Sequence, residues 1–574
     1  MKNRNTKALA LVVTASVSLM ACNPLNKMSK KAEDVSYSVT PNPLELHGDS
    51  VEINVSGSIP PKFFNKKVSV DFVPNYKFAG LESNFKTITL VGEDSEVGGI
   101  KINFERGGSF SYTDKVAYVK GMEQAELFMV ATGSYKGKST SFDPELVAKG
   151  TIITPMWVQD EDMPIVGADQ FAKVVPQEFK ATINYLVNSS NVRSSEMSDE
   201  DVKGMAEFVK EGKKKAFVFK STDVVAWASP EGEISLNENL ADDRANAGAN
   251  VAKGLLSKNR IDAAKGKDFY NKTGKGEDWD GFKSAMQASD IADKNLILRV
   301  LEMYEDKTKR EQEIKNLAET FEVVKENILP QLRRSEVTIK ADLISMSDEM
   351  ISKYAVSNPD TLSNEELLYA ATLADDMNAK LEIYKKAERV YPNDWRGFNN
   401  SGYIYAMQND LAKAKVEFEK AAKLNQSSPV VNNNLGMVAR LEGDNAKAMD
   451  YYNKASGAGA AVGANKGLLN IKSGDYSQAV SNYGDTKSFN AALAQTLNKD
   501  YQAALKTIDA SEAASTAKGM YLKAVVGARM KDKAMMLNNL KSAVAKDPSL
   551  KDFVKNDAEF NNYRDDAEFQ AAVN

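Results

Sequence analysis

The residues of this 574-residue chain best placed for chemistry lie between Ser229 and Arg244, in the run SPEGEISLNENLADDR. Arg244 shares a helical stripe with Leu240, Ala247, Val251 and Leu255, the last four at steps of seven, four and four that point one way on a helix. A guanidinium on the core side of a helix calls for an acidic partner or an anion, because burying it unpaired is costly. Glu231 and Glu233 lie in the turn before the helix. Arg244 therefore either meets an anionic group of a ligand or pairs with a nearby Asp or Glu and staples the helix to its neighbours. Other chemistry is hard to place. Cys22 is the only cysteine and His47 the only histidine, the latter in the turn His47-Gly48-Asp49, where a solvated role is expected. There is no G-x-S-x-G, no metal-ligand cluster and no Walker loop; Gly274-Lys275-Gly276-Glu277 lacks the spacing that cradles phosphate. The acid pairs Asp242-Asp243 and Glu277-Asp278 are adjacent, so their side chains diverge, and they read as surface charge rather than an opposed catalytic pair. No enzyme activity, metal or cofactor is expected.

The elements that must position this cluster alternate in type. Residues 216–225 read as a buried strand, rich in Phe and Val. A turn follows, and Ser235 with Glu238 forms a capping-box pattern that opens a helix. Upstream, 183–187 reads as a strand and 198–212 as a helix with Ser198 and Asp201 as its cap pair. Downstream, Val337, Ile339, Ala341 and Leu343 alternate as a strand after Arg333 and Arg334. Between them, 258–330 is a long insertion in which 291–328 reads as two charged amphipathic helices, with solvated outer faces or a role in covering the site.

This order, with Gly232, Asn237, Leu240, Arg244 and Ala245 at their spacings, resembles the C-terminal peptidoglycan-binding domain of outer membrane protein A and the peptidoglycan-associated lipoprotein. The resemblance covers residues 176–345. It implies an α/β domain that holds the zwitterionic end of diaminopimelate in the wall stem peptide, with Ser229, Gly232, Asn237 and Arg244 forming the pocket. Ser229 stands where that family places an aspartate, and Ala241 replaces its serine.

The N-terminus carries Lys2, Arg4 and Lys7 before an apolar run over 8–20, too short for a mature membrane span and suited to a secretory leader. Leu19-Met20-Ala21-Cys22 resembles a bacterial lipobox, which implies lipidation of Cys22 and a mature chain that begins there; Asn23 favours the outer membrane. Residues 23–34 read as a polar, basic tether. Short alternating runs such as Val51, Ile53, Val55 and Val68, Val70, Phe72, separated by turn signals, predict an antiparallel sandwich. In the last third Gly402, Ala414, Phe418 and Ala421 recur 34 residues on as Gly436, Ala448, Tyr452 and Ala455; Gly467, Ala479 and Tyr483 follow after 31. That period and residue pattern resemble the tetratricopeptide repeat, with 550–573 as a closing cap.

The chain is thus expected to be multidomain: leader 1–21, lipidated tether 22–35, all-β sandwich 36–170, an α/β domain like that of outer membrane protein A at 171–345 with a helical insertion 258–330, and an all-α tetratricopeptide solenoid 346–574. Net charge is −5; without the three leader cations, 71 basic and 79 acidic residues give −8, which argues against nucleic acid as a partner. The expected function is a non-enzymatic outer-membrane lipoprotein scaffold, facing the periplasm and linking the membrane to peptidoglycan and to protein partners in the repeat groove. The alternative is a subunit of an outer-membrane assembly, secretion or fimbrial machine without wall binding, with surface exposure as a further variant.

Overall fold

Alternation of buried and exposed residues builds the N-terminal sheets. In Ser50–Ile59 the side chains of Val51, Ile53, Val55 and Ile59 point inward, and the strand pairs antiparallel along its whole length with Gly108–Ala117. A second sheet is centred on Ser69–Phe78, paired with Glu126–Tyr135. Val70, Phe72, Tyr76, Leu90 and Leu127 meet the first sheet's residues in one core, as inward faces of a sandwich must. The computed structural model describes residues 24–574; the leader 1–21 and Cys22 lie outside the described residues. Residues 24–34, expected as a tether, begin instead with the helix Pro24–Ser29, whose Leu25 and Met28 are buried in the sandwich core. Three positions apart, they share a face. Gly133 makes room for them: a Cβ there would lie 2.7 Å from the Leu25 side chain.

The chain divides into two compact units, Met1–Gly167 with Tyr391–Asn574, and Ala168–Val390. In the first, the sandwich is joined by a helical array. Its pairs are Trp395–Met407 with Leu411–Leu424, Pro429–Leu441 with Asn445–Lys454, Ala460–Ser473 with Tyr476–Tyr483, Phe489–Leu497 with Tyr501–Asp509, and Ala517–Arg529 with Lys533–Lys546. The glycine and aromatic positions of the repeat have a direct cause. A Cβ on Gly402 would sit 2.7 Å from the Phe418 ring, one on Gly436 2.6 Å from Tyr452, and one on Gly467 2.4 Å from Tyr483. The first helix gives up a side chain so that the second can bury an aromatic ring. Gly436→Ala is therefore expected to cost about 1–3 kcal/mol by overpacking, read as a lower midpoint in urea denaturation. His47, expected to be solvated, is exposed, but its ring meets Tyr476 of the array edge-on at 5.1 Å.

Leu550–Asn556 and Ala567–Val573 close the array, with Phe560 and Phe569 buried against it. In this cap Asp557 is buried and accepts from the Tyr521 hydroxyl and the Glu559 amide. Burial, and then the neighbouring Glu559, push its carboxyl up to about 8. An unfolded carboxyl would release its proton near 3.8 while the folded one keeps it, so wild-type stability falls as pH rises from about 4 to about 8. Asp557→Asn removes the titrating carboxyl. Its stability relative to wild type should climb across this window, measured by denaturation at stepped pH.

The second unit holds a four-stranded sheet in the order Val174–Asn184, Arg334–Ile344, Val218–Ala228, Tyr270–Glu277; the last two strands are parallel and the other pairings antiparallel. The fourth strand and the helices Trp279–Ala288, Lys294–Met303, Lys307–Lys315, Ala318–Asn327 and Leu329–Leu332 come from the insertion, where two helices were expected. These helices enclose a small core of their own around Phe282, Met286, Ile297 and Val324. The helices Asn364–Leu373 and Met377–Val390 belong to this unit, although the repeat pattern reads them with the solenoid.

Two helix starts differ from expectation. The helix Glu200–Lys214 is capped by Asp199, which accepts from the Asp201 amide, rather than by Ser198. The helix Ile234–Lys258 begins one residue before Ser235, after Gly232 at φ +100°, and has no side-chain cap. Its buried stripe is also shifted by one position, to Ala241, Ala245, Gly248, Ala249, Ala252 and Leu256. Small residues win that face because the helix lies close to the sheet: a Cβ on Gly248 would be 2.7 Å from the Ser335 hydroxyl. Leu240, Ala247, Val251 and Leu255 are left at the margins, half-buried.

Candidate functional site

Arg244 is fully buried near the middle of the helix Ile234–Lys258. Its guanidinium meets neither an acid nor solvent. Nε donates to the Ser189 carbonyl at 3.0 Å, Nη1 to Trp227 at 2.9 Å and Nη2 to Leu186 at 3.0 Å, while the Tyr185 ring lies 5.3 Å from Cζ. Arginine's planar fork suits this task, since one side chain satisfies three carbonyls, that of Trp227 at the end of the strand Val218–Ala228 and those of Leu186 and Ser189 in the loop after Val174–Asn184. Burial pulls the group down to about 10, so it still carries its charge at neutral pH.

The other residues of the predicted pocket gather around a different ion pair. Glu231 Oε1 accepts from Arg333 Nη2 at 2.6 Å and Nε at 3.0 Å, and from the Ser229 hydroxyl at 2.8 Å. Asn237 donates to the Glu231 carbonyl at 3.1 Å and to Glu277 at 3.0 Å; Trp279 Nε1 donates to the other oxygen of Glu277. Glu277 and Asp278, expected as surface charge, are thus buried, Asp278 pairing with Arg334 at 2.5 Å. They turn inward because Asn237 and Trp279, on helices, and Arg334, on the strand Arg334–Ile344, donate to them, whereas Asp242 and Asp243 are exposed. The Gly232 amide donates to Glu311 from the insertion helix Lys307–Lys315, at 2.6 Å. Ser229, Gly232 and Asn237 are therefore brought together with Glu231 and Arg333, while the hydrogen bonds of Arg244 run elsewhere.

A second site was not anticipated. The first helices of four successive pairs in the array present asparagines to the extended segment 158–167, and each grips one residue of it by both main-chain groups. Asn490 bonds the N–H and C=O of Gln159, each at 2.8 Å. Asn465 takes Met163 at 2.9 and 3.1 Å, Asn434 takes Ile165 at 2.7 and 2.7 Å, and Asn400 takes Gly167 at 2.7 and 2.9 Å. The segment runs opposite to the order of the repeats. Asn399 and Asn433 add a bond each to the carbonyls of Ile165 and Met163, and Asn434→Asn399 and Asn465→Asn433 bonds tie the ladder together. A buried amide network of this kind is stable because its members are satisfied.

Charge reinforces the grip. Arg440, itself buried, pairs with Asp162 and with Asp160 at 3.0 Å, and Lys472 pairs with Asp160 at 2.6 Å. Lys472 first, then Arg440, hold the Asp160 carboxyl below its ordinary range. A signal for this ladder was present in the sequence: Asn400, Asn434 and Asn465 each stand two residues before the repeat glycines Gly402, Gly436 and Gly467. Among the described residues no group of three or more His, Cys, Asp or Glu side chains could hold a metal.

No family profile matches this chain. It is similar to the BBSome complex member BBS4 of Bos taurus, 29% identical over 114 residues that make up 19% of this chain and 22% of that protein. The chain thus spans about a fifth of the length of the curated relative it matches. Among solved structures, a tetratricopeptide repeat protein from Parabacteroides merdae matches 37% of this chain and 91% of its own, at 14% identity and a TM-score of 0.27. Pseudomonas aeruginosa PilF matches 39% and 95%, at 15% identity and a TM-score of 0.26. Likenesses this low bear on no activity. The array is a tetratricopeptide-type repeat on its own evidence, namely helix pairs, a 34-residue step and the glycine–aromatic contacts.

Proposed function

We propose that this protein is a non-enzymatic scaffold of the bacterial envelope, whose repeat array holds extended polypeptide. The observation that carries this reading is the asparagine ladder, which grips main-chain N–H and C=O groups and so accepts a polypeptide with little regard to its side chains. In the fuller form of the reading Cys22 is lipidated, the chain is held at the periplasmic face of the outer membrane, and the unit Ala168–Val390 contacts peptidoglycan. Supporting the wall contact are the order of strands and helices that the resemblance to outer membrane protein A implies, and an acid and a cation side by side in the turn cluster. In this chain those would be Glu231 and Arg333, since the donors of Arg244 are spent on carbonyls. The Gly232 amide would take a carboxylate of the stem peptide in place of Glu311.

A second reading, a scaffold subunit of an envelope machine without wall binding, is favoured by the pairing of Glu231 with Arg333 and by Glu311 on Gly232, which leave the cluster self-satisfied. Sedimentation of the lipid-free chain with purified peptidoglycan, with and without free diaminopimelate, separates them. Cosedimentation relieved by diaminopimelate supports wall binding. A chain that stays in the supernatant supports the second reading, and membrane fractionation of Cys22→Ala tests the anchor.

A further inference from the structure

The segment in the groove is joined to the sandwich at one end and to the unit Ala168–Val390 at the other. It buries little: Val158 and Ile165 pack partly against the array, Asp160, Glu161 and Met163 are exposed, and only Gly167 is buried. Its hold is polar and mostly to main chain, so any extended segment of similar charge would satisfy the same groups. If it leaves, the hydrophobic clusters lose only the partial packing of Val158 and Ile165.

From this we infer that 158–167 is a built-in competitor for a receptor groove, and that the exchange partner is an extended acidic segment of another protein. The inference deepens the scaffold reading above and rests on it. The groove specifies the partner's chemistry. Two acids separated by one residue meet Lys472 and Arg440, as Asp160 and Asp162 do. Gripped residues then alternate, at the places of Met163, Ile165 and Gly167, so the residue between two of them needs no N–H and proline is tolerated, as at Pro164. The last gripped position favours glycine, because a Cβ on Gly167 would lie 3.0 Å from Arg396 Cγ and 3.1 Å from the Trp395 ring. Tethering keeps the chain's own segment at a high local concentration, so a free partner binds with an affinity reduced by the fraction of grooves that are open.

The test uses the full chain and a fluorescent peptide of sequence VQDEDMPIVG, the segment itself. Asp160→Ala/Asp162→Ala loosens the internal segment and leaves the groove unaltered. This variant should bind the peptide at least about tenfold more tightly than wild type. Adding Asn434→Ala/Asn465→Ala to it should abolish binding, with circular dichroism showing the helices intact. Hydrogen exchange gives an independent reading: the amides of residues 163, 165 and 167 should exchange well before those of the flanking helices, and sooner in the loosened variant. Peptide affinity no better in the loosened variant than in wild type, or amides as protected as the helix cores, would show the segment to be a permanent part of the fold and overturn the proposal. Binding that appears only as concentration-dependent dimers would assign the groove to the segment of a second copy, which also overturns it. Neither result touches the wall-binding test, which reads a different unit.

Discussion

Arg244→Ala is expected to destabilise the unit Ala168–Val390 by about 3–5 kcal/mol, because it strands the carbonyls of Leu186, Ser189 and Trp227 in a fully buried place. Each of these groups has given up water for one arm of the guanidinium. An unsatisfied buried acceptor costs about 1–3 kcal/mol, and the cavity left by a large side chain adds to that. Arg244→Lys should recover only part of the loss, since a single ammonium lacks the planar fork. Urea denaturation, with hydrogen exchange of the strand Arg334–Ile344 to localise the effect, measures it. A variant within about 1 kcal/mol of wild type would show that the carbonyls find other partners, and that the arginine is spared for a ligand. The expected loss also has a practical consequence: an Arg244→Ala protein that fails to bind a ligand says nothing about the ligand unless its fold is verified.

The second large effect lies at the end of the array. Arg529 donates to Glu559 at 2.5, 2.9 and 3.1 Å, and the Thr154 hydroxyl, on the segment leaving the sandwich, donates to the same carboxylate. The Glu559 side chain is 1% exposed and that of Arg529 12%. Arg529→Met is expected to cost about 3–5 kcal/mol, chiefly from a buried carboxylate left without its cation. The diagnostic comparison is Arg529→Met/Glu559→Leu. Replacing both charges by apolar groups of similar bulk should restore most of the stability, since an ion pair's own net contribution is small. A double variant no better than the single one would place the cost in lost packing instead of the stranded charge. Both are read as denaturation midpoints of the full chain.

How much of this was legible differs between the two sites. The repeat positions were legible because Gly402 and Phe418, or Gly436 and Tyr452, meet within one helix pair, so their demand for a small residue opposite a ring is written at a fixed short spacing. The strands of the sandwich were legible for a similar reason, an alternation of period two that each strand carries within itself. Arg244 was legible as a buried cation, but its partners were not. They are carbonyls at Leu186, Ser189 and Trp227, and a backbone acceptor has no sequence signature. Likewise the helix stripe was read one position off, because hydrophobicity marks Leu240 and Val251 while the close approach to the sheet selects Ala and Gly.

By itself, then, the sequence determined the kinds of element and the period at which they repeat, since these depend on residues near one another along the chain. It also held the asparagines Asn400, Asn434 and Asn465 two places before the repeat glycines. What fills the groove they line was decided only by tertiary structure. The gripped residues lie 233 to 331 positions away from their asparagines, and their contribution is main-chain groups that every residue possesses. The same holds for the turn cluster, where Arg333 reaches Glu231 across 102 positions and takes the partner that spacing had offered to Arg244. Charge complementarity is a property of where side chains arrive, and many arrangements satisfy one composition until the fold selects among them.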